Sequence, residues 1–120
     1  MSELFKVIPD YPNYEVSNLG RVRNVKYRRF LTLIRTNRGW VMVGLSKDRK
    51  QRMIPVANLV AEIFLDPPKP PNTSILHMDG DRSNNSVENL VWKPRWYVNI
   101  YMRDVQTQGL KILTNPYYYP

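Results

Sequence analysis

The sequence contains no cysteine and one histidine, His77, among its 120 residues. The first absence excludes disulfides, thiolate zinc sites and cysteine nucleophiles. The second excludes any site built on two histidines. No apolar run reaches the roughly 18 residues that a membrane helix needs, so no membrane partner is expected. Residues 1–10 lack a basic segment leading into an apolar one, which predicts a chain that is not secreted. Acidic residues are nearly missing from one long stretch, since residues 20–53 hold only Asp48.

What is present is globular and basic. With 42% hydrophobic and 23% charged residues, the composition is too apolar for a wholly disordered chain. The length suits one compact domain or two tightly joined modules, not two independent cores. Lys and Arg total 18 against 10 acids, for a formal charge of +8. The excess sits in residues 20–53, as Arg21, Arg23, Lys26, Arg28, Arg29, Arg35, Arg38, Lys47, Arg49, Lys50 and Arg52. Elsewhere the signs balance or turn slightly acidic. So localised a field attracts a polyanion, and counterion release from phosphates is the usual source of its affinity. A merely solubilising face is the competing reading. The basic residues, however, are interleaved with Val22, Val25, Phe30, Leu33, Trp40 and Val43, as in an ordered sheet with one charged face. That pattern favours nucleic acid, and the eleven cations are the candidate DNA-binding residues.

Several strands are expected. Residues 4–8 form a short apolar stretch, Pro12 and Asn13 mark a turn, and residues 14–17 read as a strand. The turn Asn18-Leu19-Gly20 precedes an alternating strand at 21–25. Residues 30–35 and 40–45 read as a hairpin around Asn37-Arg38-Gly39, and 52–54 as a further strand after a polar turn. Pro55 suits the first turn of a helix. Val56, Leu59, Val60, Ile63 and Phe64 then recur at helical spacing, predicting an amphipathic helix over 55–65. Asp66 and the proline run at 67–71 end it and predict a stiff, extended connector. Residues 75–78 and 89–92 read as short strands around an asparagine-rich loop. A helix follows from 94 to about 104, then an extended segment at 110–113 and an aromatic tail at 117–120.

Three strings within this order carry a resemblance. Tyr14-Glu15-Val16-Ser17-Asn18-Leu19-Gly20-Arg21-Val22-Arg23, with Phe5 to Ile8 before it and Gly39-Trp40-Val41 after, resembles a nuclease-associated modular motif. The helix at 56–65 resembles the joint between that motif and a nuclease core. His77-Met78-Asp79-Gly80-Asp81-Arg82-Ser83-Asn84-Asn85, with Asn89-Leu90-Val91-Trp92, resembles the core of phage-type HNH homing endonucleases. The implied fold is α+β: a β-rich basic DNA-binding module (1–54), a linker helix with proline connector (55–71), a ββα-metal unit (72–105) and a tail (106–120).

The resemblance also implies a chemistry. His77 takes the general-base position and Asn89 the central asparagine that holds the loop and orients the histidine. Asn84 and Asn85 satisfy loop backbone groups. The cofactor of such a site is Mg²⁺ or Mn²⁺, which polarises the phosphate. The two usual ligand positions are altered, however. Leu76 precedes the histidine, where an Asp, His or Asn is usual, and Val98 stands nine residues after Asn89. A leucine supplies no oxygen to a hard cation. Asp79 and Asn99 are the remaining metal candidates, although turn chemistry favours reading Asp79-Gly80 as a tight turn. Ala57-Asn58 also departs from the His-Arg common at that point of the linker helix. Of the aromatic residues Trp92, Trp96, Tyr97 and Tyr101, which could stack on bases, Trp92 and some of the helix members suit a small core better.

Three functions are therefore expected in order. The first is a duplex-DNA-binding protein of the HNH endonuclease family whose metal-dependent nicking is weak or lost. The second is an active nicking endonuclease, and the third a protein-binding or inhibitor module on the same scaffold. The place expected for a phage-encoded protein of this kind is the cytoplasm of a bacterial host.

Overall fold

A computed structural model describes residues 2–108 of the chain. The expected segment at 110–113 and the aromatic tail at 117–120 lie outside them. Among the described residues, eight strands and two α-helices form in the order βββ-βββ-α-ββ-α. The architecture is the expected α+β one.

Strands β1 (Phe5–Ile8), β2 (Tyr11–Ser17) and β3 (Val22–Asn24) make an antiparallel meander. Pro12 and Asn13 lie inside β2, so the expected turn moves to Pro9-Asp10. Pro12 is tolerated there because the register shifts between Val7 and Ile8, freeing it from a ladder hydrogen bond. β4 (Ile34–Arg35), β5 (Val41–Lys47) and β6 (Lys50–Pro55) make a second antiparallel sheet. The strand expected over 30–35 shrinks to two residues, with Phe30 forming only an isolated bridge to Arg23.

β5 and β6 run on to a two-residue turn, at Asp48 (φ 53°) and Arg49 (φ 65°). Positive φ at both positions matches the twist of the flanking strands. The hairpin is thereby longer than its alternating pattern suggests, and it carries Lys47, Arg49 and Lys50 at its tip.

Helix α1 (Val56–Phe64) follows directly, with Pro55 as its N-cap rather than within its first turn. Val56, Leu59, Val60 and Ala61 bury one face against Ile8, Val16, Val22, Val43 and Leu45 from both sheets. Leu90 from the C-terminal part belongs to the same cluster, and Ile75, Val87 and Trp92 pack on it. The β-rich part and the C-terminal unit thus share one continuous core through α1. The connector does not stay extended. It turns at Pro70-Pro71, a cis peptide, with Asn72 N donating to Lys69 O at 2.7 Å.

Strands β7 (Ser74–His77) and β8 (Leu90–Lys93) pair antiparallel, with a 3-10 turn over Val87–Asn89 before β8. Helix α2 (Arg95–Gln108) extends beyond its expected end at 104. A second cluster, Leu76, Tyr101 and Met102 with Val91, Tyr97, Val98 and Val105 against it, seals α2 to this hairpin. No helix among the described residues is long and apolar enough to cross a membrane.

Candidate nuclease-like site and basic face

His77 ends β7 with its side chain buried, 2% exposed. Its Nε2 lies 2.8 Å from Asn85 Oδ1. An amide oxygen only accepts, so Nε2 carries the proton and Nδ1 holds the lone pair of the neutral ring. Burial holds the His77 pKa below its ordinary value, against the opposing pull of the Asn85 hydrogen bond and the Asp79 charge. Near neutral pH the ring is therefore uncharged and can accept a proton at Nδ1. The ring also meets Trp40 edge-on, with centroids 6.0 Å apart.

The loop after β7 is held by its own side chains. Asn89 Nδ2 donates to Asp79 Oδ1 (2.9 Å) and to Asn84 O (2.9 Å), while Asn89 Oδ1 accepts from Asp79 N (3.0 Å). Asn84 Nδ2 donates to Asp79 Oδ2 at 2.8 Å, and Asp81 N to Asp79 Oδ1 at 2.8 Å. Asn89 thus pins the loop, as expected, but the side chain bonded to the histidine ring is Asn85. This corrects the role expected for Asn85, which was the filling of loop backbone groups. Asp81 accepts from both Ser83 N and Ser83 Oγ, and these bonds lower its pKa.

A cleft of about 650 Å³ opens beside His77, between α1, α2 and the Trp40 hairpin. Asn58, Arg82, Asn99 and Arg103 are among the residues that line it. Sequence reasoning missed the parts played by Trp40 and Arg82. The available signal was a tryptophan directly after a hairpin turn and one basic residue in an otherwise polar loop.

The donor set does not fit a hard divalent cation. Leu76 is fully buried, and Val98 packs into the same apolar cluster, so both usual ligand positions are part of the seam between β7 and α2. Both oxygens of Asp79 already accept hydrogen bonds within the loop. Asn99 is exposed at the cleft, a single neutral oxygen donor. Among the described residues no three His, Cys, Asp or Glu side chains gather into a metal-holding group.

The basic residues divide into two groups. Arg21 donates through Nε to Glu3 Oε2 at 2.9 Å and also pairs through Nη2 with Glu3, while Arg23 pairs with Glu15. The Arg21 pair holds the Glu3 carboxyl down at about 2. The two guanidiniums also cover Phe30 and Phe5. The other nine, Lys26, Arg28, Arg29, Arg35, Arg38, Lys47, Arg49, Lys50 and Arg52, are exposed and form no ion pair among the described residues. They project from the turn at 25–29, the β4–β5 hairpin and the β5–β6 tip.

Known proteins share this order of parts. Residues 3–50 match the NUMOD4 motif and residues 58–99 match the HNH endonuclease family. The chain belongs to the HNH endonuclease family. Two uncharacterised HNH endonucleases of Acanthamoeba polyphaga mimivirus are each 36% identical to it over 88 residues, 73% of this chain. H-N-H endonuclease F-TflII of Escherichia phage T5 is 34% identical over 90 residues, 74% of this chain. The chain spans only 22%, 26% and 47% of the lengths of these relatives. Among solved structures, the HNH homing endonuclease I-HmuI, in a study of its DNA binding and cleavage, superimposes with a TM-score of 0.73. That match has 29% identity and covers 88% of this chain and 59% of the other. The expected resemblance to phage-type HNH homing endonucleases and the expected fold both stand.

Proposed function

We propose that this chain binds duplex DNA through its exposed basic turns, and that metal-dependent nicking is weak or lost. The binding half rests on one observation above the others: nine cations are exposed and without ion pairs among the described residues, carried by the turn at 25–29 and by the two hairpins that share β5. Unpaired cations release phosphate counterions on binding, whereas Arg21 and Arg23 first give up their glutamates. DNA binding and cleavage are described for the solved neighbour I-HmuI, which agrees with a nucleic-acid partner. The catalytic half rests on Leu76, which is enclosed in apolar contacts at a position where the family places a ligand.

The second reading is an active nicking enzyme. The geometry of His77 favours it, because a neutral ring fixed by Asn85 is prepared to act as a base. Two assays on the same preparation decide. Duplex affinity, read by fluorescence anisotropy, is expected to fall steeply and near-linearly on a log–log plot as salt rises. Supercoiled plasmid is expected to survive incubation with Mg²⁺ or Mn²⁺, as it does with EDTA. Salt-independent binding would remove the DNA reading, and robust nicking abolished by His77→Ala would establish the second.

A further inference from the structure

Arg82 is the residue that the nuclease resemblance leaves without a task. It stands in the loop between Asp81 and Ser83 and lines the cleft that His77 also lines. Its guanidinium lies over the Trp40 ring, 4.6 Å from the centroid, and Nη1 donates to Arg38 O at 2.9 Å. The ring contact and the carbonyl hydrogen bond together restrain the group. Nε is sheltered and has no hydrogen-bond partner among the described residues. Nη2 likewise has none among them. The Nε–Nη2 edge is the fork that binds two oxygens of one phosphate, and here it is held ready and unused.

The surroundings suit an anion. Arg95 and Arg103 line the same cleft, against Glu62 as its one carboxylate among the described residues, and Arg103 lies 3.6 Å from Asp104. Asp79 and Asp81 act electrostatically on His77, but both are occupied by hydrogen bonds from their own loop. The cation that would otherwise draw a phosphate here has no fitting ligands, as Leu76 is buried and Val98, which lines the cleft, carries no oxygen.

We propose that the cleft seats one DNA phosphodiester on the Nε–Nη2 edge of Arg82, beside His77, with no divalent cation. This rests on the DNA-binding reading and names the contact that reading makes in the cleft. The guanidinium supplies positive charge and two directed hydrogen-bond donors. Trp40 joins the seat to the basic face, since one tryptophan from the β4–β5 hairpin touches both His77 and Arg82. A duplex lying along the basic turns thus has its backbone led into the cleft.

The single histidine makes the test specific, because its imidazole protons report on the cleft alone. The full chain in EDTA is titrated at constant pH with the dinucleotide thymidylyl-thymidine, and the His77 resonances are followed. A saturable shift is expected, with apparent affinity changing less than about twofold when Mg²⁺ replaces EDTA. Arg82→Gln should weaken that affinity at least about tenfold with the rest of the spectrum unchanged. If that variant loses its fold, Arg82→Lys serves instead and should also weaken binding, since it keeps the charge but loses the fork. No shift in EDTA, a shift that needs Mg²⁺, or unchanged affinity in a folded Arg82 variant would overturn the proposal. Duplex anisotropy run in parallel separates the two readings. Duplex binding with His77 unmoved would remove the seat alone, while a dinucleotide-dependent shift without duplex binding would remove the duplex reading and support the seat.

Discussion

His77 Nε2 and Asn85 Oδ1 lie 2.8 Å apart, and Asn85 is in turn braced by Gly20 from the far end of the chain. A Cβ added at Gly20 would meet the Asn85 Cβ at 3.1 Å and its carbonyl oxygen at 3.3 Å. Gly20 also sits at φ +90°, where a side chain is strained whatever the space. The Asn18 carbonyl accepts from Val87 N at 2.8 Å just beside this contact. The turn of the NUMOD4 motif is therefore part of the histidine's support. Gly20→Ala should cost about 1–2 kcal/mol of stability. It should also move the His77 imidazole resonances, which an unrelated surface change such as Lys69→Ala should leave in place.

The burial of His77 sets a pH dependence of stability. Its folded pKa lies below the ordinary value of 6.5. Between those two values the unfolded chain binds a proton that the folded chain does not. This contribution is complete above about pH 6.5 and is lost as pH falls through the folded pKa. Denaturant unfolding at several pH values should therefore give less stability on the acid side. His77→Gln should flatten that part of the curve relative to wild type. Asn85→Ala removes the bond that raises the pKa, so it should carry the loss to lower pH.

The ion pairs at Glu3 and Glu15 divide the basic residues by their expected worth to DNA. Neutralising Lys47, Arg49 and Lys50 to Gln should weaken duplex binding and lower the log–log salt slope by about 0.9 for each phosphate no longer neutralised. Arg21→Gln with Arg23→Gln should lower the slope less per residue, because those guanidiniums already face carboxylates. An equal loss of slope per substituted residue in the two variants would show that the glutamates let go on binding.

Local signals in the sequence suffice wherever chemistry and pattern coincide. α1 is legible from Val56, Leu59, Val60 and Ile63, and the asparagine-rich loop behind His77 places that residue at a strand end. The β5–β6 tip is not legible, since Asp48 and Arg49 lack the asparagine and glycine that announce a two-residue turn. Pro12 reads locally as a turn because the irregular register that tolerates it in a strand is a property of the pairing with β1. The partners of Arg21 and Arg23 stand 18 and 8 residues away, and no periodicity reveals such pairs. Trp40, Arg82 and His77 come from distant parts of the chain and meet only because α1 ties both sheets to the C-terminal hairpin.

Leu76 and Val98 give the sharpest test of the missing ligands. Leu76 is fully enclosed with Tyr101 and Met102, and Val98 packs on the same cluster. Leu76→Asp combined with Val98→Asn supplies two oxygen donors but removes apolar packing from the seam holding α2. The leucine alone is worth about 2–5 kcal/mol as buried packing, and an unpaired carboxylate in its place adds a desolvation cost. In EDTA the double variant should therefore unfold well below wild type. A bound cation would offset the loss by mass action, so Mn²⁺ should raise the Tm of the double variant while leaving wild type unchanged. The same preparation should acquire Mn²⁺-dependent plasmid nicking, and a further His77→Ala should remove the nicking but keep the Mn²⁺-induced rise in Tm. A rise in Tm without nicking would place the remaining defect in the cleft around Arg82 and Asn99. No rise in a folded double variant would mean that the seam has closed around apolar residues too tightly for two substitutions to reopen it.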